Sequence, residues 1–201
     1  MSGYGLISVA GLIGVGKTTL ARQLACRLEA HLLEEPYDRN PHIEQQYAGQ
    51  ADAALASQIF FLKSRVEQLR VGETSRYPTV VTDYVYQKDR IFARLCLTQQ
   101  QYDEYEQLAG TLDGLITAPS RVVYLQDTLE NCLERIKRRG RAFEKGISAT
   151  FLGQLSEAYE QMFESWSQCP VVRVDCAEHD VRNEATVDWV VEQMALTVHS
   201  S

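Results

Sequence analysis

Eight consecutive residues, Gly11-Leu12-Ile13-Gly14-Val15-Gly16-Lys17-Thr18, constrain this chain more than any other feature. They fit G-x-x-x-x-G-K-[ST], a loop whose glycines let the backbone curl until successive N–H groups point inward at phosphate oxygens. The helix that must follow adds the partial positive charge of its N-terminus. A lysine here reaches β- and γ-phosphates, and the hydroxyl after it suits Mg²⁺. The flanks have the required character. Leu6–Ala10 reads as a short buried strand, and Leu20, Leu24 and Leu28 mark one face of a helix over 17–30. The motif implies a nucleoside triphosphate bound by Gly11, Gly14, Val15, Gly16, Lys17, Thr18 and Thr19, but it does not specify the reaction.

The remaining pattern alternates strands with helices, which implies an α/β fold with a mostly parallel sheet. The reading predicts strands at 31–34, 79–82, 122–125 and 171–174. It predicts helices over 51–71, 85–96, from 99, from 128, over 148–168 and over 181–197. Residues 37–49 read as irregular. Thr98-x-x-Gln101 and Asp127-x-x-Glu130 read as capping boxes, and Gly140 as a helix C-terminal glycine. With 201 residues and no linker or repeat, the chain reads as one domain, 1–201.

Composition narrows the class. The net charge of −7 argues against nucleic acid or an anionic membrane as partner. No stretch approaches the ~18 apolar residues that span a bilayer. Five cysteines at irregular spacings, without CxxC, fit reduced thiols in a cytoplasmic protein. GTPases need DxxG and NKxD, and neither occurs, so a small-molecule kinase is the natural reading. One basic island breaks the acidic trend: Arg135, Lys137, Arg138, Arg139 and Arg141. By itself this reads as a solvated face or a complement to a helix dipole. Asp83, at the end of the 79–82 strand, reads either as an acid at the ligand crevice or as a helix N-cap. Gln58 and Arg65 lie two turns apart on one helical face. On spacing alone that pair reads better as a solvated stripe, with Arg65 paired to Glu67 or Asp52.

Taken in order, the phosphate loop, Glu35-Pro36, Gln58…Arg65, Asp83…Asp89-Arg90-Ile91-Phe92-Ala93 and Arg135-x-x-x-Arg139-Gly140-Arg141-x-x-Glu144-x-Gly146-Ile147 resemble the deoxynucleoside kinase family. That family phosphorylates the 5′-hydroxyl of deoxyribonucleosides. The resemblance implies a three-layer α/β/α P-loop kinase fold with a five-stranded parallel sheet and an Arg-rich lid over about 135–147. It implies ATP and Mg²⁺, the metal held by Thr18 and Asp83, and a homodimer. Lys17, Glu35, Asp83, Arg135, Arg139 and Arg141 would carry catalysis, with Lys137 and Arg138 as surface. The nucleoside would be held by Glu35, Asp83, Gln58, Arg65, Asp89 and Phe92 around the base and 5′-hydroxyl, and by Tyr47 and Glu144 at the 3′-hydroxyl. The Arg65/Asp89 pair implies purine deoxynucleosides or deoxycytidine, with Ala54, Ser57 and Phe61 setting pocket size. The pattern departs at Tyr84, where the family commonly has arginine. Lid arginines or Lys88 would then supply that charge. Two other readings stand beside this one: a nucleoside-monophosphate kinase of thymidylate-kinase type, and a nucleotide-binding regulatory subunit without catalysis.

Overall fold

The computed structural model describes residues 3–197. Five parallel strands form one sheet: β1 (Gly5–Gly11), β2 (His31–Leu33), β3 (Thr79–Thr82), β4 (Arg121–Gln126) and β5 (Val171–Asp175), in the order β2-β3-β1-β4-β5. Helices α1 (Lys17–Arg27), α2 (Ile43–Tyr47), α3 (Ala51–Leu69), α4 (Val71–Thr74), α5 (Lys88–Cys96), α6 (Gln99–Leu112), α7 (Leu129–Arg139), α8 (Ala149–Glu164) and α9 (Glu184–Leu196) flank it. This is the expected α/β arrangement. The central strands are buried along their length because helices cover both faces; every residue of β3 is buried. One core cluster packs α1, α8 and α9 against β1, β4 and β5, and a second packs α3 and α6 against β1 and β3.

The order reverses around β1, which has β3 on one side and β4 on the other, so a crevice opens beyond the strand C-termini. The phosphate loop leaves the end of β1, Glu35 follows β2 and Asp83 follows β3. Parallel topology alone brings these three distant segments to one edge.

Several boundaries differ from the sequence expectation, each for a local reason. Helix α1 stops at Arg27 rather than Ala30. Glu29 takes φ 49°, and the Ala30 N–H donates to Ala25 O at 2.8 Å while Glu29 N–H goes to Cys26 O. That is a left-handed helix stop made without glycine. Strand β2 ends at Leu33, one residue early. Residues 37–49 are not irregular: they hold a 3₁₀ turn (Tyr37–Arg39) and α2. The 51–71 helix breaks at Arg70 (ψ 136°), and α4 continues separately. Helix α5 begins at Lys88, not 85, which leaves Asp83 five residues outside it. Helix α8 ends at Glu164 and α9 begins at Glu184. The α7 cap is Thr128, whose Oγ1 accepts from Asn131 N, in place of Asp127. Thr98 and Gln101 do form the expected box, and Gly140 closes α7 in a left-handed conformation.

Candidate active site

The loop between β1 and α1 turns at Gly14, φ 85°, where a Cβ would lie 2.6 Å from the Cys132 carbonyl of α7. Close seating against α7 is therefore possible only for glycine. Gly16 caps α1 with no side chain, so the first-turn N–H groups remain open toward the crevice. Lys17 Nζ donates to the carbonyls of Leu12 at 2.7 Å and Gly11 at 3.0 Å. Burial, helped by the neighbouring Lys88 charge, brings its ammonium down to about 8.

Asp83 caps no helix. Its Oδ2 accepts from Thr18 Oγ1 at 2.6 Å, and its Oδ1 accepts from the Glu35 backbone N–H at 2.8 Å. One carboxylate thus ties the ends of β2 and β3 to the start of α1. The hydroxyl and carboxylate form a hard-oxygen pair. Such a pair suits Mg²⁺, which takes few protein ligands and keeps water and phosphate oxygens. Among the described residues no cluster of three His, Cys, Asp or Glu offers a competing site.

Arg65 is not on a solvated stripe. It is 3% exposed and pairs with neither Glu67 nor Asp52. Its Nε and Nη2 donate to Glu35 Oε1 and its Nη1 to Asp89 Oδ1. Lys88 Nζ donates to the other Glu35 oxygen at 2.8 Å. Burial pushes the Glu35 carboxyl up, but Arg65 and Lys88 more than offset this and hold it at about 2. Asp89 is wholly buried behind Arg65, and its Oδ2 has no partner among the described residues.

Lys17, Thr18, Glu35, Tyr47, Gln58, Arg65, Asp83, Phe92, Arg139, Arg141 and Glu144 line a single cavity. Asp89 and Arg135 are outside it. Arg135 donates to Asp127 Oδ2 at 2.5 Å and lines a neighbouring groove with Arg138, the phosphate loop and residues 176–183. Arg138 is exposed, as expected of a surface residue, and lines that groove. Nor do Ala54 and Ser57 line the cavity: Ser57 is fully buried, its Oγ accepting from Asn40 Nδ2 at 2.8 Å, whereas Phe61 does line it. Gln58 makes no side-chain hydrogen bond among the described residues, so its amide can serve a base edge.

The segment after α7 folds back as a 3₁₀ turn over 142–146. A Cβ at Gly146 would lie 2.5 Å from Tyr47 O, so the turn seats directly on α2. Arg139 and Arg141 both donate to Glu144, and the Arg141 guanidinium lies 3.7 Å from the centroid of the Tyr37 ring. Burial raises the Tyr47 phenol and keeps it neutral. Tyr84 points into the core, 0% exposed, its OH donating to Gln68 Oε1 at 2.6 Å.

A sequence profile described as deoxynucleoside kinase matches residues 7–199. The chain belongs to the deoxynucleoside kinase family. Deoxyguanosine kinase of Bacillus subtilis is 32% identical over 84% of this chain and 85% of its own length. Deoxyadenosine/deoxycytidine kinase of the same organism is 29% identical over 98% and 94%. The structure of deoxyadenosine kinase from M. mycoides, with products dCMP and dCDP bound, superposes with a TM-score of 0.82 at 24% identity, covering 94% and 98% of the two chains. It establishes that this chain has the fold of a deoxynucleoside kinase.

Sequence reasoning overlooked several residues of this candidate site, among them Tyr37, Ile43, Gln46, Phe143 and Tyr159. Gln46 and Tyr37 lie in the segment read as irregular, where no periodicity marks them. Gln46 lines the cavity with a buried carbonyl oxygen that has no partner among the described residues, its amide nitrogen 3.5 Å from Cys96 Sγ. Tyr159, on α8, follows the apolar period of Leu152, Leu155 and Phe163, which marks it as core and not as cavity lining. Residues 176–183 form the groove wall, and only their position after the last strand pointed there.

Proposed function

We propose that the protein transfers the γ-phosphoryl group of ATP to the 5′-hydroxyl of a deoxyribonucleoside, most readily a purine deoxynucleoside, with deoxycytidine as a further acceptor. One observation carries this reading. A triphosphate-binding loop and two carboxylates, Glu35 and Asp83, share one cavity with a polar base-sized face, Gln58 and Arg65. Family membership and the names of the Bacillus relatives support it.

In this reading Lys17 and the loop N–H groups of Gly11 to Thr19 hold the donor phosphates. Asp83 orients the hydroxyl, and Glu35 accepts its proton. Gln58 reads the base edge against Phe92, while Arg65, braced by Asp89, supplies donors beside it. Tyr47 and Glu144 hold the 3′-hydroxyl. Arg139 and Arg141 stabilise charge on the transferring group, and Arg135 closes the donor side. Thr18 and Asp83 would hold Mg²⁺, which, when bound, neutralises phosphate charge. The 135–147 segment acts as a lid that excludes water.

A monophosphate acceptor fits less well. The phosphate of such an acceptor would bring a second anion against the Glu35 carboxylate, which Arg65 and Lys88 hold at the acceptor side. Tyr84 does not support a regulatory subunit, because its ring serves the core. A homodimer in a cytoplasmic setting completes the proposal; all five cysteines are free. Initial rates with ATP, Mg²⁺, each of the four deoxynucleosides and thymidine monophosphate test it. Purine deoxynucleosides should give the highest kcat/KM. Turnover of none of the four deoxynucleosides sinks the kinase reading, and preference for thymidine sinks the substrate assignment.

A further inference from the structure

Lys88 is a cation set into the cavity wall. It is 5% exposed, and its Nζ donates to Glu35 Oε2 at 2.8 Å. Its other near neighbours include aromatic rings, Tyr84 with its centroid 5.9 Å away and Phe92 5.7 Å away. Rings attract a cation but accept no conventional hydrogen bond. An ammonium carries three N–H donors, and among the described residues only Glu35 takes one. Arg65, which shares Glu35, is held at all three guanidinium nitrogens, by Glu35 and by the buried Asp89. Lys88 is held, among the described residues, by Glu35 alone and keeps two N–H donors in the cavity it shares with Lys17, Thr18 and Asp83. Burying a charge with unused donors is costly, and a site tolerates it where a ligand completes the set.

Resting on the kinase reading above, we propose that Lys88 is a catalytic residue whose ammonium hydrogen-bonds the oxygens of the phosphoryl group as it passes from donor to acceptor. In that step the acceptor 5′-oxygen forms a bond to the γ-phosphorus. The bond from that phosphorus to the β,γ-bridging oxygen breaks, and its electron pair leaves on the nucleoside diphosphate. The hydroxyl proton passes to Glu35. Charge spread over the equatorial oxygens is greatest midway, and a fixed donor in a water-poor cavity acts most strongly there. Tyr84, with its hydroxyl on Gln68, supplies no charge to that step, whereas Lys88, four residues further along at the start of α5, does.

The test compares the unmodified enzyme with Lys88→Met, Lys88→Gln and Lys88→Arg, using ATP, Mg²⁺ and the best deoxynucleoside. Binding of a non-hydrolysable ATP analogue reports folding. Lys88→Met and Lys88→Gln should lose about 10²–10³ in kcat, the effect of deleting one transition-state donor. Both KM values should stay within about threefold. Lys88→Arg should recover at least about tenfold over Lys88→Met, a rescue that mere space-filling does not give. A Lys88→Met kcat within about threefold of the parent overturns the proposal and leaves the kinase reading standing. So does a loss confined to KM, and so does loss of analogue binding in both uncharged variants, which assigns Lys88 to the fold. If the unmodified enzyme phosphorylates no deoxynucleoside, the kinase reading fails and takes this proposal with it.

Discussion

Replacing Asp83 by asparagine separates chemistry from architecture at this site. The carboxylate accepts two hydrogen bonds, from Thr18 Oγ1 at 2.6 Å and from the Glu35 N–H at 2.8 Å. An asparagine can keep both contacts. Its oxygen faces the Glu35 N–H, which can only donate, and its NH₂ faces the Thr18 hydroxyl, which can turn and accept. Two charge-assisted bonds become neutral ones, a change of about 1–2 kcal/mol. For a chain of about 200 residues that lowers Tm by roughly 3–6 °C. The loss in rate should be far larger. Removing the charge proposed to orient the acceptor hydroxyl should cost about 10²–10³ in kcat, or about 3–4 kcal/mol in the barrier. Triphosphate binding measured without Mg²⁺ should hold, because the loop N–H groups and Lys17 remain. The assay pairs steady-state phosphorylation with a thermal melt and a nucleotide titration. A kcat within threefold of the parent refutes the reasoning. So does a rate loss matched by loss of metal-free binding, since Asp83 would then be holding the loop.

Other expectations follow from the buried charges. Lys17 titrates near 8 in the free protein, so above that pH it is largely neutral, and bound phosphates should restore its proton. Calorimetry at pH 8.5 in two buffers of different ionisation enthalpy should show uptake of about three-quarters of a proton per ATP, with affinity falling about tenfold per further pH unit; no uptake refutes the low value. Arg65→Met leaves Asp89 fully buried and unpaired, which should destabilise by about 3–5 kcal/mol. Adding Asp89→Leu should recover more than half of that in a denaturation cycle, whereas simple additivity would show that the pair is not coupled.

Much of the fold was legible because α/β folds leave two strong local records. Hydrophobic runs such as Thr79–Thr82 mark strands covered on both faces, and the glycine-rich loop marks the one turn whose backbone must curl. Two of the helix limits that failed lack the usual stop signal. Helix α1 ends through Glu29 in a left-handed conformation that glycine usually supplies, and α3 breaks at Arg70 without proline or glycine.

The active-site residues divide in the same way. Lys17, Thr18 and Asp83 stand next to strand ends, so position along the chain locates them. Arg65 was ambiguous from helical spacing, because the partners that bury it, Glu35 and Asp89, lie 30 and 24 residues away. Gln46 carries no periodic or charge signal, and the period that Tyr159 shares with Leu152, Leu155 and Phe163 marks it only as core.

By itself, then, the sequence determined the phosphate loop, the alternation of strands and helices and the family, since each rests on residues close together in the chain. Only the tertiary structure decided which charges pair. It sent Tyr84 into the core, joined Asp83 to Thr18, gave Arg65 and Lys88 a shared carboxylate, and turned Arg135 toward Asp127. Electrostatic roles depend on distance and burial through space, and the parallel sheet, by bringing the ends of β1, β2 and β3 to one edge, sets both.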